Sequence, residues 1–320
     1  MRPFELTAPT TVADAVAGAG TFLAGGTTLV DLMKLNVLTP QHVADINQLP
    51  LRDIDTADGL KIGALARMSE VAADPGVYPM ISQALLLSAS QQLRNMASIG
   101  GNLLQRTRCG YFRDVAMPCN RREPGSGCAA ITGANRMHAI LGTSDACVAT
   151  HASDLAVALI ALDARVRLVG PDGERTIALA DLYRQPGETP EHEYNLADGE
   201  LIAEVEVPRL DWAHNSTYLK VRERQSYEFA LCSVALALDI RDGHIADARV
   251  AAGGVGTVPW RLPAVERELR GAPLIEAAFE AAASVAGDGA RPLSDNGFKV
   301  SLLKRSIVRA LLELTEGSRA

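Results

Sequence analysis

Four of the chain's five cysteines, Cys109, Cys119, Cys128 and Cys147, fall within one stretch and are spaced C-x9-C-x8-C-x18-C. As thiolates they are soft metal ligands, and four is the ligand count of an iron–sulfur cluster or a structural zinc site. The surrounding sequence, RTRCGYFRDVAMPCNRREPGSGCAAITGANRMH, is rich in Arg, Gly and Pro and keeps neither a helical nor a strand period. A loop this long is uncommon in a compact domain unless it is functional or disordered, and a metal centre would give it order. Zinc sites usually bring their ligands in close C-x2–4-C pairs, which are absent here. A disulfide framework is the weaker reading, because the N-terminal MRPFELTAPTTVADAV has no apolar signal core. Cys232 lies in an apolar strand pattern and reads as a core residue. His138 and His151 are available for hydrogen bonds nearby and are not assigned as ligands.

Two paired-glycine segments offer a second kind of chemistry. Leu23-Ala24-Gly25-Gly26-Thr27-Thr28-Leu29 joins a strand pattern to a helix pattern. Free N–H groups and the positive end of a helix dipole converge at such a junction. Ala97-Ser98-Ile99-Gly100-Gly101-Asn102-Leu103-Leu104 repeats the combination of two glycines with small polar donors. Either segment alone could be a tight turn; together they suit a long ligand with an anionic middle, such as a dinucleotide. Neither matches G-x-G-x-x-G or the P-loop pattern.

These segments need positioning, and the pattern around them supplies candidate elements. Thr11 can cap a helix over Val12–Ala17; strands follow at Thr21–Ala24 and His42–Ile46, with a helix at Leu29–Asn36 between them. Asp58-Gly59 turns into a strand at Leu60–Leu65, and helical patterns occupy Ser69–Ala73, Pro79–Leu87 and Asp154–Leu162. Arg165–Val169 and Arg175–Leu179 flank the hairpin signal Gly170-Pro171-Asp172-Gly173, and Glu200–Val207 alternates as a strand. Pro208–Asn215 is the best linker. Beyond it come three strands, Ser216–Arg224, Phe229–Ile240 and Ile245–Ala252, then helices at Leu262–Leu269, Leu274–Ala286 and Asn296–Leu314, an α+β arrangement.

Composition narrows the class. The net charge of −7 and the lack of a basic stripe disfavour a nucleic-acid surface. The longest apolar run, Phe229–Ile240, is too short for a membrane span. A cytoplasmic location follows by default, with the periplasm reachable beside a signal-bearing partner.

The motifs LAGGTTLVDLMK, ASIGGNLL and HASDLAVALIALDA resemble the flavin subunit of molybdenum hydroxylases, the xanthine dehydrogenase and aldehyde oxidoreductase family, across essentially the whole chain. The cysteine pattern resembles the branch whose flavin subunit carries an extra [4Fe-4S] cluster, as in bacterial periplasmic aldehyde oxidases. The resemblance implies a two-subdomain FAD-binding domain of the PCMH/vanillyl-alcohol-oxidase type over residues 1–210, with a cysteine-rich insertion at about 105–147. A smaller α+β C-terminal domain, a three-stranded sheet plus helices, would occupy 215–320. Residues Leu23, Ala24, Gly25, Gly26, Thr27, Thr28 and Leu29 would hold the FAD diphosphate. Ser98, Gly101, Asn102 and Thr107 would form a second wall. Asp154 would lie near the adenosine part, a place it shares with the alternative reading of a helix N-cap, and Ile202 and Lys220 would touch the flavin.

All four of Cys109, Cys119, Cys128 and Cys147 would bind the cluster. Arg106, Arg108, Arg113, Arg121, Arg122 and Arg136 surround them in sequence, as charge that raises the cluster's potential or as a solvated or partner-facing loop. By the same resemblance the chain is an electron-transfer subunit with no catalytic side chain of its own. A large subunit would carry the molybdenum cofactor and a small one the [2Fe-2S] clusters, in a heterotrimer or its dimer, with an external electron acceptor. A xanthine dehydrogenase-type or 4-hydroxybenzoyl-CoA reductase-type flavin subunit, a self-contained flavin oxidase and a zinc-stapled binding module are the alternatives.

Overall fold

The structure, a computed structural model, describes residues 1–18 and 20–317. Strand and helix alternate at the start: Glu5–Thr7, helix Val12–Ala17, Thr21–Leu23, helix Leu29–Lys34 and His42–Asp45. The three strands form a parallel sheet with His42–Asp45 in the middle. Parallel neighbours need crossover connections, and the short helices provide them. Thr11 caps the first helix, its Oγ1 accepting the Asp14 N–H at 3.1 Å. Ala15, Ile46 and Leu49 seal this unit against Leu65, Leu201 and Ala203.

The second sheet is antiparallel, in the spatial order Ile54–Asp55, Leu60–Gly63, Leu201–Val207, Arg165–Gly170 and Gly173–Ala178. Leu60, Ile62, Val205 and Val207 join the largest core, together with residues of helices Met68–Ala73, Pro79–Leu86 and Asp154–Ala161. All eight residues of Asp154–Ala161 are buried. That helix packs on Pro79–Leu86 and on strands Cys232–Arg241 and His244–Gly253. The central strand Cys232–Arg241 explains how: Ala235 and Ala237 join the core shared with the helix, while Cys232, Val234, Leu236 and Leu238 face a separate C-terminal core. Small residues on one face let the helix approach, and both faces of the strand are dry.

The C-terminal sheet has four strands, not three. Its antiparallel order is Trp260–Arg261, His244–Gly253, Cys232–Arg241 and Ser216–Val221. Trp260–Arg261 is a two-residue edge strand, too short to leave a period in the sequence. Helices Pro263–Leu269, Glu276–Ala283 and Phe298–Gly317 cover the sheet, with Phe279, Leu303, Ile307 and Leu311 inside. The expected linker is packed rather than loose: Ala213 is buried, and Leu210 and Trp212 lie against the main core. Leu179 begins a helical turn, Leu179–Leu182, instead of ending a strand.

The second glycine segment is also a helical turn, Ile99–Leu103, capped by Ser98. The cysteine segment stays mostly irregular, with a short helix at Gly110–Arg113 and an isolated bridge between Cys119 and Cys128. Among the described residues no helix is long and apolar enough to cross a membrane.

Candidate functional site

Strand Thr21–Leu23 runs into the loop Ala24–Thr28, and helix Leu29–Lys34 begins behind it. Gly26 takes φ +71°, a conformation glycine adopts at little cost. Among the described residues, no backbone carbonyl accepts the N–H groups of Gly25, Gly26, Thr27 and Thr28. Asn47 fixes the loop, its Nδ2 donating to Ala24 O at 2.8 Å and its Oδ1 accepting from Arg67 Nη2 at 2.9 Å. Arg67 Nη1 donates in turn to Met96 O. Asn47 and Arg67 thus tie the two glycine segments together.

Two chambers meet at this loop. One, of about 510 Å³, is lined by Ala24 through Leu29, Ser98, Gly101 and Ile202. The other, of about 590 Å³, shares Thr27, Thr28 and Gly101 and extends past Asn102 to Asp154 and Lys220. Open N–H groups between two bulky spaces suit a ligand with an anionic middle and two large ends. A third chamber of about 550 Å³ joins the second at Arg108, Asp154 and Phe229 and reaches Cys109 and His138.

Several expected residues stand elsewhere or do something else. Leu23 lines neither of the first two chambers; its carbonyl accepts the Ile46 N–H at 3.0 Å and supports the loop from the sheet. Thr107 lines the space between the cysteines instead, donating to Thr150 O and accepting the Cys109 N–H. Asn102 reaches the second chamber, but its amide is taken up by Ser153 Oγ at 2.6 Å and Met68 Sδ at 3.3 Å. Asp154 is not the N-cap: Ser153 is, its Oγ accepting the Ala156 N–H at 2.9 Å.

Asp154 is instead the hub of a buried network. Its carboxylate accepts from Lys220 Nζ at 2.7 Å, Tyr218 Oη at 2.8 Å and Ser88 Oγ at 2.9 Å. Lys220 also donates to Leu87 O. The Lys220 side chain is 1 % exposed and that of Asp154 8 %, so each charge depends on the other. Tyr218, Ser88, Asn47 and Arg67 escaped the sequence reading. Their partners lie far away along the chain, and no spacing marks them.

All four cysteines of the insertion line one void of about 10 Å³, close to the smallest space that takes a water molecule. Among the described residues no group of three or more His, Cys, Asp or Glu is arranged to hold a metal ion. Nearby backbone N–H groups, those of Phe112 and Tyr111 at Cys109 and of Ala130 and Val148 at Cys128, favour the thiolate forms. Burial pushes the Cys109 thiol up to about 11 and raises Cys128 as well. Cys109 Sγ also lies 3.2 Å from His138 Nε2, and burial lowers the imidazole pKa of His138. Cys232 sits apart, fully buried in the C-terminal core, with its thiol pushed up to about 12.

The six arginines are mostly engaged within the protein. Arg108 and Arg113 pair with Asp31 on the helix behind the loop, and hold its carboxyl below the usual range. Arg122 donates to the carbonyls of Tyr111, Phe112 and Met117, closing the turn after Cys109. Arg106 and Arg121 share Glu193. Arg136 meets Glu223 at the surface.

Comparison with known families and proteins gives concordant results. Residues 2–210 match the model of the FAD binding domain in molybdopterin dehydrogenase, and residues 217–314 that of the CO dehydrogenase flavoprotein C-terminal domain. The chain is 47 % identical over 300 residues to the aldehyde oxidoreductase FAD-binding subunit PaoB of Escherichia coli, covering 91 % of this chain and 90 % of that one. It is 30 % identical over 294 residues to the glyceraldehyde dehydrogenase medium chain of Sulfolobus acidocaldarius, covering 90 % and 86 %. A solved structure of carbon monoxide dehydrogenase from Hydrogenophaga pseudoflava superposes with a TM-score of 0.74 at 25 % identity, covering 97 % of this chain and 96 % of that one.

Proposed function

The chain belongs to the family of FAD-binding subunits of molybdopterin dehydrogenases, and on that premise we propose that it is the FAD- and [4Fe-4S]-carrying electron-transfer subunit of a molybdenum-dependent aldehyde oxidoreductase. Electrons would arrive from partner subunits that hold the molybdenum cofactor and [2Fe-2S] clusters, and would leave through FAD to an external acceptor. FAD binding and an oxidoreductase role follow from the family itself. The substrate class rests on the 47 % identity to an aldehyde oxidoreductase subunit. Relatives named as medium chains support an assembly with one larger and one smaller partner.

The observation that carries the FAD placement is the open loop Gly25–Thr28 between two chambers. The loop and Gly101 would hold the diphosphate, with Asp154, Lys220 and Ile202 on the chamber walls. Bound there, the flavin supplies the redox chemistry, and the protein positions it and shapes its surroundings. Asn47 and Arg67 keep the loop rigid, and the Asp154–Lys220 pair presents a fixed, water-poor wall.

For the cluster, four thiols on one void, with nearby backbone N–H groups that favour thiolates, suit a four-thiolate centre. The void of about 10 Å³ is too small to contain one as it stands. Assembly would have to part the turns around Cys119 and Cys128. The zinc alternative has less support, since the cysteines lack close pairing in sequence.

The test is an absorption spectrum of the purified protein with iron, acid-labile sulfide and released flavin measured on one sample. FAD with about four irons and four sulfides per chain is the expected result. FAD without iron removes the cluster from the reading, and folded protein without flavin overturns it altogether.

A further inference from the structure

Cys119 and Cys128 stand directly opposite each other in an isolated antiparallel bridge. The backbone bonds on either side of them run from Asn120 N–H to Gly127 O at 2.8 Å and from Ala129 N–H to Pro118 O at 3.4 Å. The two cysteines are therefore the non-hydrogen-bonded pair of the bridge, the kind whose Cα atoms lie about 4.5 Å apart and whose side chains are closest. Both line the same void, so both side chains leave the bridge on one side. A disulfide needs Cα atoms about 4.4–6.8 Å apart with converging Cβ atoms, and this register supplies that without a backbone shift. The turn between them is pinned. Cys119 N–H donates to Ser126 Oγ at 3.0 Å, Gly127 N–H to Asn120 Oδ1 at 2.7 Å and Asn120 Nδ2 to Ala146 O at 3.0 Å. The other two thiols on the void are engaged elsewhere. Cys109 Sγ lies 3.2 Å from His138 Nε2, while Cys147 Sγ meets Arg121 Nη2 at 3.7 Å and the Ala149 N–H at 3.5 Å.

We propose that Cys119 and Cys128 are a modification site, a thiol pair that a small-molecule disulfide oxidises to a reversible disulfide whenever no metal holds them. The inference uses the fold as it stands and does not depend on the cluster reading. A void of about 10 Å³ has to open for a cluster, whereas a bond between opposed cysteines needs no such opening. Cys128 is partly exposed and Cys119 buried, so Cys128 meets the oxidant first. Its thiolate attacks one sulfur of the small disulfide and releases one small thiolate. The Cys119 thiolate then attacks the mixed disulfide at Cys128, forms the protein S–S bond and releases the second. Two electrons pass to the small disulfide, and the two cysteine protons end on the two released thiols. A Cα separation at the short end of the usual range leaves the bond readily reducible, which makes the step reversible. Two sulfurs bonded to each other cannot also hold a metal. Oxidation therefore closes the segment against a metal, and reduction reopens it.

The experiment counts thiols in the full chain. The purified protein is treated with a chelator and a reductant, freed of both and equilibrated with glutathione disulfide, with circular dichroism confirming that it is folded. It is then alkylated in denaturant, digested and read by mass spectrometry. The expected result is the loss of two alkylatable thiols out of five, a cross-linked Cys119–Cys128 peptide, and recovery of all five thiols after dithiothreitol. Distance along the chain does not by itself select this pair, because Cys109 and Cys119 are nearly as close in sequence. Five alkylated cysteines, glutathione left on Cys128 beside a free Cys119, or any other pair as the main product overturns the inference. If chelation unfolds the parent, Cys109→Ser, which keeps the pair, takes its place and the same peptide decides. Iron measured before chelation tests the cluster reading separately: its absence overturns that reading, and the peptides still decide the disulfide.

Discussion

The position a Cβ would take on Gly25 lies 2.0 Å from the carbonyl oxygen of Met96 and 2.9 Å from Ala97 Cα. The two glycine segments therefore touch backbone to backbone, and they can do so only because residue 25 has no side chain. Ser98 and Gly101, which follow Met96 closely, line the chamber that the Gly25 loop opens into. Gly25→Ala has to push these walls apart, and the obstructing atoms are main chain that no rotamer change can move. The variant is expected to lose about 1–3 kcal/mol of stability and most of its bound FAD. Released flavin per chain and denaturant unfolding report the two effects. A Gly25→Ala protein with full flavin and an unchanged unfolding midpoint would contradict the packing argument.

Asp154 and Lys220 form a pair whose members fail singly. Lys220→Met leaves a buried carboxylate whose remaining side-chain donors among the described residues are the Tyr218 and Ser88 hydroxyls. Removing one partner of such a pair typically costs about 3–5 kcal/mol, whereas replacing both with neutral groups costs far less. Asp154→Asn with Lys220→Met should therefore be more stable than Lys220→Met alone. Both should reduce FAD retention, since both side chains wall the second chamber. Additive losses of stability in the double variant would show that the two charges do not depend on each other.

How much of this was legible beforehand follows from the range of each interaction. The strand–glycine–helix junction at Leu23–Leu29 and the cap at Thr11 are local, and the sequence displays them through residue types at short spacing. The apolar run Phe229–Ile240 reads as a strand, which the structure has at Cys232–Arg241, but which of its residues face which core shows only in the packing. Trp260–Arg261 was too short to show a period. Asp154 shares its place near the adenosine part of FAD with an alternative reading as the cap, because a polar residue there precedes an apolar helix. Ser153 satisfies the same rule one position earlier, and only the structure decides between them. Partners such as Tyr218, Ser88 and Glu193 meet their counterparts through the tertiary fold, which no residue spacing records. The cysteines identified their own neighbourhood, yet their arginines did not: of six candidates, the fold brings one to a sulfur.

His151 gives the stability an acid limb. The ring is only partly exposed, its Nδ1 accepts the Ser153 N–H at 3.3 Å, and its Nε2 is sealed from solvent. Burial, reinforced by the positive charge of Arg121, lowers its pKa from 6.5 to about 3. Above pH 6.5 the imidazole is neutral in both the folded and unfolded chain, and contributes no pH dependence. Between 6.5 and about 3 the unfolded chain takes up a proton that the folded one refuses, so stability falls as the pH falls. The full effect is about 5 kcal/mol. His151→Gln should flatten the fall in melting temperature between pH 6.5 and 4. Parallel melting curves for the two proteins over that range would exclude His151 as the cause.

The cysteines can be separated by role. Cys109 lies at the start of helix Gly110–Arg113 and lines the void with Cys119, Cys128 and Cys147, but lines neither of the first two chambers. Cys232 is enclosed by the C-terminal core. Cys109→Ser replaces a soft thiolate by a hydroxyl, a poor ligand for iron, while leaving the Gly25–Thr28 loop and its chambers intact. Its iron and sulfide should fall toward zero while much of the FAD remains. Cys232→Ser is the control, because it introduces a buried hydroxyl far from the void. It should cost stability, about 1–3 kcal/mol if the hydroxyl finds no partner, and leave iron unchanged. The decisive comparison is iron per flavin in the two variants. Equal ratios in Cys109→Ser and the parent would remove Cys109 from the ligand set. Iron lost equally from both variants would mean that the loss reports unfolding, with no information about ligation.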